Sequence, residues 1–435
     1  MYVPKELKRD ILSEINKIDI IDPHTHLKED SLTSHVVDIL SYHWVLSELN
    51  SVGLDYQEVF SNPAYSLEER LKAALPYIAR MKNTATWRCV RYILEDLYDF
   101  HEELDEGNYK RLLDVSLEKT GQADWASRVF KKANIKRFIT GCGNASKLGN
   151  ERPDFNLMAE VNYLNWPAGS TDNLPWFGEF ALDETRYLDA LEHIGGAPVS
   201  EPADIVRALD RFLHEALTGR CKVFASYLPI EFRYAPADEA DCANAIRRFR
   251  AAGGRDHEAL DTLVRYTNWK MLEIMNDIGC TLQTAVGAEY FICGGRSLAR
   301  YSDTWVSDMV KVCYQFPNIE FDFMNASQAM NHEMEVAAKM IRNFHIQNMW
   351  WHTYVPGCMQ TLGEKLEVVP AVKLGGFFCD AYYCELTYGK LQMVKDTLAN
   401  VFADKVASGL YTEDYAVEVL KLLLNENQRR LYRLD

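Results

Sequence analysis

Residues 18–27 read IDIIDPHTHL, and this stretch decides the fold class. A short apolar run, Ile18 to Asp22, breaks at Pro23 and is followed at once by His24 and His26. Alternate side chains of a strand project to the same side of the pleat, so both imidazoles face one way at the strand's end. Imidazole nitrogen is a favoured ligand for zinc and similar divalent ions. A pair of surface histidines in a loop would spell the same letters. Its place, after an apolar strand that opens an α/β pattern, gives this pair its weight as a metal site.

Working outward, seven more short apolar runs follow: residues 135–140 (IKRFIT), 176–182 (WFGEFAL), 223–228 (VFASYL), 280–286 (CTLQTAV), 319–324 (IEFDFM), 344–351 (ending in WW) and 374–379 (LGGFFC). Amphipathic helical patterns such as 256–276 and 332–344 lie between them. Strands alternating with helices pair in parallel through right-handed crossovers. Eight such units predict an α/β fold, a (β/α)8 TIM-type barrel, with its active site at the C-terminal ends of the strands. No G-x-G-x-x-G follows the first strand, which counts against a dinucleotide-binding sheet. About a hundred residues separate the first two strands and read as helices, so a helical insertion is expected at about 28–133, after strand 1. No Pro/Gly/Ser-rich linker marks an edge, and residues 1–435 are expected to form a single domain. A last helix is expected over 411–434, with Thr412 as its N-cap.

Composition sets the outer limits. The net charge of −16 offers nothing to offset phosphate repulsion and argues against a nucleic-acid partner. No segment reads as a signal peptide or a membrane span, so a cytoplasmic protein with no membrane partner is expected. Ten scattered cysteines without a C-x-x-C pair fit buried thiols. A homo-oligomer stays open.

A divalent ion at a catalytic site takes three protein ligands and leaves a position open. Asp380 is the candidate third ligand, because it ends the 374–379 run and the last strand of a closed barrel neighbours the first. A loop carboxylate or a helix N-cap is the plainer reading of the same residue. His43, in Ser41-Tyr42-His43-Trp44, is a candidate proton shuttle. Trp350, Trp351 and His352 close the seventh run and can floor a substrate pocket or pack a barrel mouth. Glu289, Tyr290, Asn325 and Gln328 follow the fifth and sixth runs but are individually unspecific, while His332 and His345 sit on helical patterns and read as structural.

The D-x-H-x-H-L start, the insertion carrying Tyr42-His43-Trp44, the Trp350-Trp351 pair and the late run ending at Asp380 together resemble the uronate isomerase family of the amidohydrolase superfamily. The likeness is strongest over 22–26 and 318–434 and holds in between only in order and spacing. It implies a distorted barrel, one divalent metal ion (commonly zinc) on His24, His26 and Asp380, substrate contacts from His43 and Trp351, and a proton-shuttling role for Asp380. Trp44 and Tyr382 fall where the family has a tyrosine and a carboxylate-binding arginine, and Ala181 falls where it has a second arginine. Arg186, Arg233 and Arg296 lie nearby as candidate replacements, though none matches the motif. A uronate carboxylate wants a bidentate guanidinium, so the metal carries over and the uronate does not.

Two chemistries follow. One is aldose–ketose isomerisation of a carbohydrate-like small molecule, with Asp380 or His43 moving a proton between adjacent carbons. The other is metal-dependent hydrolysis of a lactone, ester or amide. Hydrolases of this superfamily often add histidine ligands after strands five and six, where this chain has Ala288-Glu289-Tyr290 and Asn325-Ala326-Ser327. Isomerase chemistry is therefore favoured. A catalytically inactive ligand-binding barrel is the non-enzymatic alternative.

Overall fold

β1 (Ile20–Thr25) runs parallel to β2 (Ile135–Thr140), with Ile20 opposite Ile135 and Asp22 opposite Phe138. Its register slips between Asp22 and Thr25, where Pro23 brings no backbone N–H to the ladder. The strand therefore does not stop at Pro23, as the sequence suggests, but carries His24 within it. The computed structural model describes residues 4–28, 31–141, 154–157, 159–160, 184–217, 222–289, 298–348 and 355–434. The chain divides into two units, the first built from 1–155, 354–359 and 376–425, the second from 156–353, 360–375 and 426–435.

One sheet has the order β1-β2-β3, β3 being Asp154–Leu157. Between β1 and β2 the chain is helical from Val36–Ser41 through to Trp125–Ala133. Local signals place these helices. Ser66 and Glu69 close a capping box at Leu67–Met81, and Thr84 caps Ala85–Asp96. The Cys384–Ala407 helix packs on Lys5–Lys17 and on Ala85–Asp96. The second contact needs Gly389, since a Cβ there would lie 2.8 Å from the Cys89 carbonyl oxygen.

In the second unit β4 (Ala159–Glu160), β5 (Val223–Leu228), β6 (Thr281–Val286), β9 (Glu320–Asn325) and β10 (Phe344–Ile346) form one sheet in the order β10-β9-β6-β5-β4. All its pairings are parallel. Every residue of β5 and β6 is buried, as a parallel sheet covered on both faces requires. β7 (Ala288–Glu289) and β8 (Leu298–Ala299) form a separate antiparallel pair.

Four expected strands therefore stand within a residue or so of their predicted bounds: β2, β5, β6 and β9. The seventh is shorter, at Phe344–Ile346, and the third, 176–182, lies outside the described residues. The eighth is a correction. Only Leu374 bridges Ile346, and 375–380 has no regular structure. Gly376 explains part of this: it runs against Leu423, where a Cβ would meet that side chain at 2.9 Å. The last helical stretch is also broken, into Glu413–Lys421 (capped by Thr412 as expected), a π turn, and Asn427–Tyr432. No described helix is long and apolar enough to cross a membrane. None of the seven described cysteines is in a disulfide, and all but Cys358 are buried.

Candidate active site

The end of β1 is stitched to the segment after Cys379 by backbone bonds. Asp380 N–H donates to the His24 carbonyl and His26 N–H to the Ala381 carbonyl, both at 2.9 Å. The Thr25 hydroxyl also donates to the Ala381 carbonyl. Beneath the histidines, one oxygen of buried Asp22 accepts from Cys379 N–H at 3.1 Å and His24 N–H at 3.4 Å. Burial pushes that carboxyl up to about 7.

Asp380 sits at φ 48°, in the left-handed region that residues other than glycine seldom adopt. What holds it there is its own carbonyl, which accepts from the Tyr42 hydroxyl at 2.8 Å and from Lys390 Nζ at 3.1 Å. Lys390 also donates to the Cys379 carbonyl and the Tyr42 hydroxyl. Its ammonium lies 4.4 Å from the centre of the Trp44 ring and 5.0 Å from that of Tyr42. The result aims the carboxylate between the two imidazoles. Asp380 Oδ1 is 3.1 Å from His26 Nε2 and 3.7 Å from His24 Nε2.

These three side chains offer one ligand atom each, all within 4.8 Å of one another. A tetrahedral ion with bonds of 2.0–2.2 Å needs donors roughly 3.3–3.5 Å apart. The Asp380 separations bracket that value, so the donor set fits a small divalent cation. Burial alone would raise the Asp380 carboxyl. The His26 hydrogen bond, with the charges of His26, Lys390 and His24, holds it well below the ordinary range instead.

His43 begins the His43–Ser51 helix, its ring 4.2 Å from Tyr42 and 5.8 Å from Tyr382, centre to centre. Burial, opposed by Asp380 and reinforced by the charges of Lys390 and His26, brings its pKa down to about 3. Tyr382 stacks on His26 at 5.2 Å. Of the sequence candidates, His24, His26, Asp380, His43, Trp44 and Tyr382 are thus brought together. Trp350, Trp351, His352, Ala181 and Arg296 lie outside the described residues. Arg186 precedes the Tyr187–Gly195 helix and pairs with Asp189. Arg233 is taken up by Asp308, Ser302, Thr304 and two carbonyls. The Asp380 N-cap reading falls away, because Tyr383 holds that position. His345 is paired with Glu320, in keeping with a structural role.

Sequence reasoning missed Tyr42, Lys390 and Asp22. Asp22 and Tyr42 stand beside residues already singled out. Lys390 carried one faint signal, a lone cation in the uncharged run from Leu386 to Val394.

The whole chain has the fold of uronate isomerases. The uronate isomerase of Thermotoga maritima superposes with a TM-score of 0.83 at 13% identity, over 99% of this chain and 98% of that one. The glucuronate isomerase of Caulobacter crescentus gives 0.82 at 14% identity, over 100% and 96%. A Lactobacillus casei structure, named as a candidate metal-dependent hydrolase, gives 0.62 at 12% identity, over 97% of each chain. At such identities the likeness is one of fold. No family model matches the sequence, and no curated protein matches it.

Proposed function

We propose that this chain is a metal-dependent isomerase that interconverts an aldose and a ketose form of a sugar or sugar-like small molecule. Residues 1–435 are read with it as one (β/α)8 barrel domain. The observation that carries the reading is the left-handed Asp380, whose carboxylate is turned between His24 and His26 by long-range contacts no local preference supplies. His24, His26 and Asp380 would hold one divalent ion, zinc by the chemistry of two imidazoles and a carboxylate. That ion, when bound, polarises a carbonyl and its neighbouring hydroxyl.

The protein's own groups do the rest. His43 is neutral and desolvated, with Asp380 the one named charge that raises its pKa. Negative charge developing on a substrate beside it would raise that pKa further and let the ring take a proton. Asp380, anionic and at the same centre, is the second group able to hand a proton between adjacent carbons. Tyr382, stacked on His26, and Trp44 offer aromatic surface, and Trp350, Trp351 and His352 complete the substrate contacts in this reading. Arg186, Arg233 and Arg296 stay the candidate partners for any substrate anion in this reading.

Elemental analysis and a turnover screen over aldoses, uronates and lactones test the proposal. About one equivalent of zinc and interconversion of an aldose–ketose pair are expected. Turnover confined to lactones or esters would replace the isomerase by a hydrolase. An absence of metal would sink both.

A further inference from the structure

A second site lies in the other unit. There a cavity of about 580 Å³ is lined by Lys339, Arg342, Lys373, Arg430 and Arg433, with Glu320 the only carboxylate among the described residues of its wall. The cations come from separate segments. Lys339 is near the end of the Asn331–Met340 helix, Lys373 closes the Ala371–Lys373 turn, and Arg430 belongs to Asn427–Tyr432. Arg433 follows that last helix in a left-handed conformation, φ 55°.

Four of the five are pinned by backbone carbonyls. Lys373 donates to those of Ala338 and Ile341, Arg342 to Pro317, Arg430 to Val372 and Arg433 to Gly279. A carbonyl satisfies an N–H but brings no net charge. Glu320 does, and it is shared between Arg342 at 2.9 Å and His345 at 2.8 Å. Five positive charges thus face one negative charge in a chain whose net charge is −16. Burial brings the Lys373 ammonium down to about 8, with Cys313 and Glu320 opposing the shift and the Arg342 charge adding to it.

We propose that this cleft binds a small oligophosphate. The cavity has the size of a small-molecule site. Guanidinium forks match phosphoryl oxygens in pairs, and three of the five cations are arginines. Among the described residues its wall contains no Phe, Tyr or Trp, and its one ring, the His345 imidazole, is held by Glu320, so the phosphates are what the cleft reads. At physiological salt the charge of the rest of the chain is screened beyond about 8 Å, so the local field decides.

Titration calorimetry of the full chain with inorganic pyrophosphate, at about 0.15 M salt, tests this. The set is wild type, Lys339→Glu, Arg430→Glu and His24→Ala. Lys339 is exposed, so its variant keeps the test open even if Arg430→Glu folds poorly. We expect one-to-one binding, weakened at least ~10-fold by either charge reversal and unchanged in His24→Ala. Three results would each overturn the proposal: no binding in the millimolar range, binding indifferent to Lys339→Glu, or binding lost only in His24→Ala.

Discussion

Two buried aspartates, Asp380 in the first unit and Asp322 in the second, are held in opposite ways. Asp322 sits within β9, fully buried. The Tyr432 hydroxyl donates to it, and Gln347 Nε2 reaches both of its oxygens at 3.0 and 3.1 Å. All of these are neutral donors, so burial dominates and the carboxyl is raised. Asp380 is almost as buried, yet two imidazoles and an ammonium pull it the other way. The same side chain is thus a neutral-donor lock in one place and, in the other, a carboxylate turned toward two imidazoles. Burial sets the size of the electrostatic problem, and the charge of the partners decides its sign.

The sharpest way to break this contrast is exchange by asparagine. Asp380→Asn should lower turnover ~10²–10⁴-fold on whatever substrate the screen identifies, while the thermal transition barely moves. Asp322→Asn should leave turnover standing and destabilise by ~1–3 kcal/mol, because its new amide faces the Gln347 donor. Denaturant unfolding and steady-state kinetics on both variants decide it. Equal effects would erase the distinction.

The next largest effect concerns what pins Asp380. Lys390→Met keeps the length of the side chain but removes the donor to the Cys379, Asp380 and Tyr42 oxygens. Metal affinity should fall ~10–100-fold, the range typical for groups that orient ligands. Competition against a chelator measures it, and an unchanged affinity would make Lys390 a packing residue. Uronates probe the aromatic side of the same site. With Tyr382 and Ala181 where carboxylate-binding arginines are expected, kcat/KM for glucuronate and galacturonate should sit a hundred- to several-thousand-fold below an ordinary enzyme value near ~10⁴ M⁻¹s⁻¹. An ordinary efficiency would mean another arginine has taken over.

The smallest effect concerns a third buried acid. Glu385 accepts from Trp125 Nε1, Ser34 N–H and the Ser34 hydroxyl. Burial still raises it from 4.5 to about 7. Between those values the folded state binds the extra proton, so stability is highest below about 4.5 and falls as pH rises through about 7. Glu385→Gln removes that slope. Its melting temperature relative to wild type should therefore rise from pH 5 to pH 8, by the equivalent of ~3 kcal/mol at most. A difference that stays constant with pH would show that Glu385 is ionised throughout.

These residues also mark where sequence reading works. β2 and β5 emerged at their predicted bounds because apolar runs bounded by polar residues are local signals. The H-x-H pair was legible because His24 lies in β1 and His26 directly follows it, and the alternation of a strand is a property of the backbone itself. Asp380 was found by its place in the order of strands, though the strand invoked for it is only a bridge at Leu374. Its left-handed turn, and the Lys390–Tyr42 cradle that imposes it, were not legible. Tyr42 and Asp380 are 338 residues apart, and the bond between them exists only once the helical insertion is folded. The contrast between Asp380 and Asp322 is of the same kind. The letters are identical, and the direction in which each carboxyl is shifted is decided by partners that only the tertiary structure brings within reach.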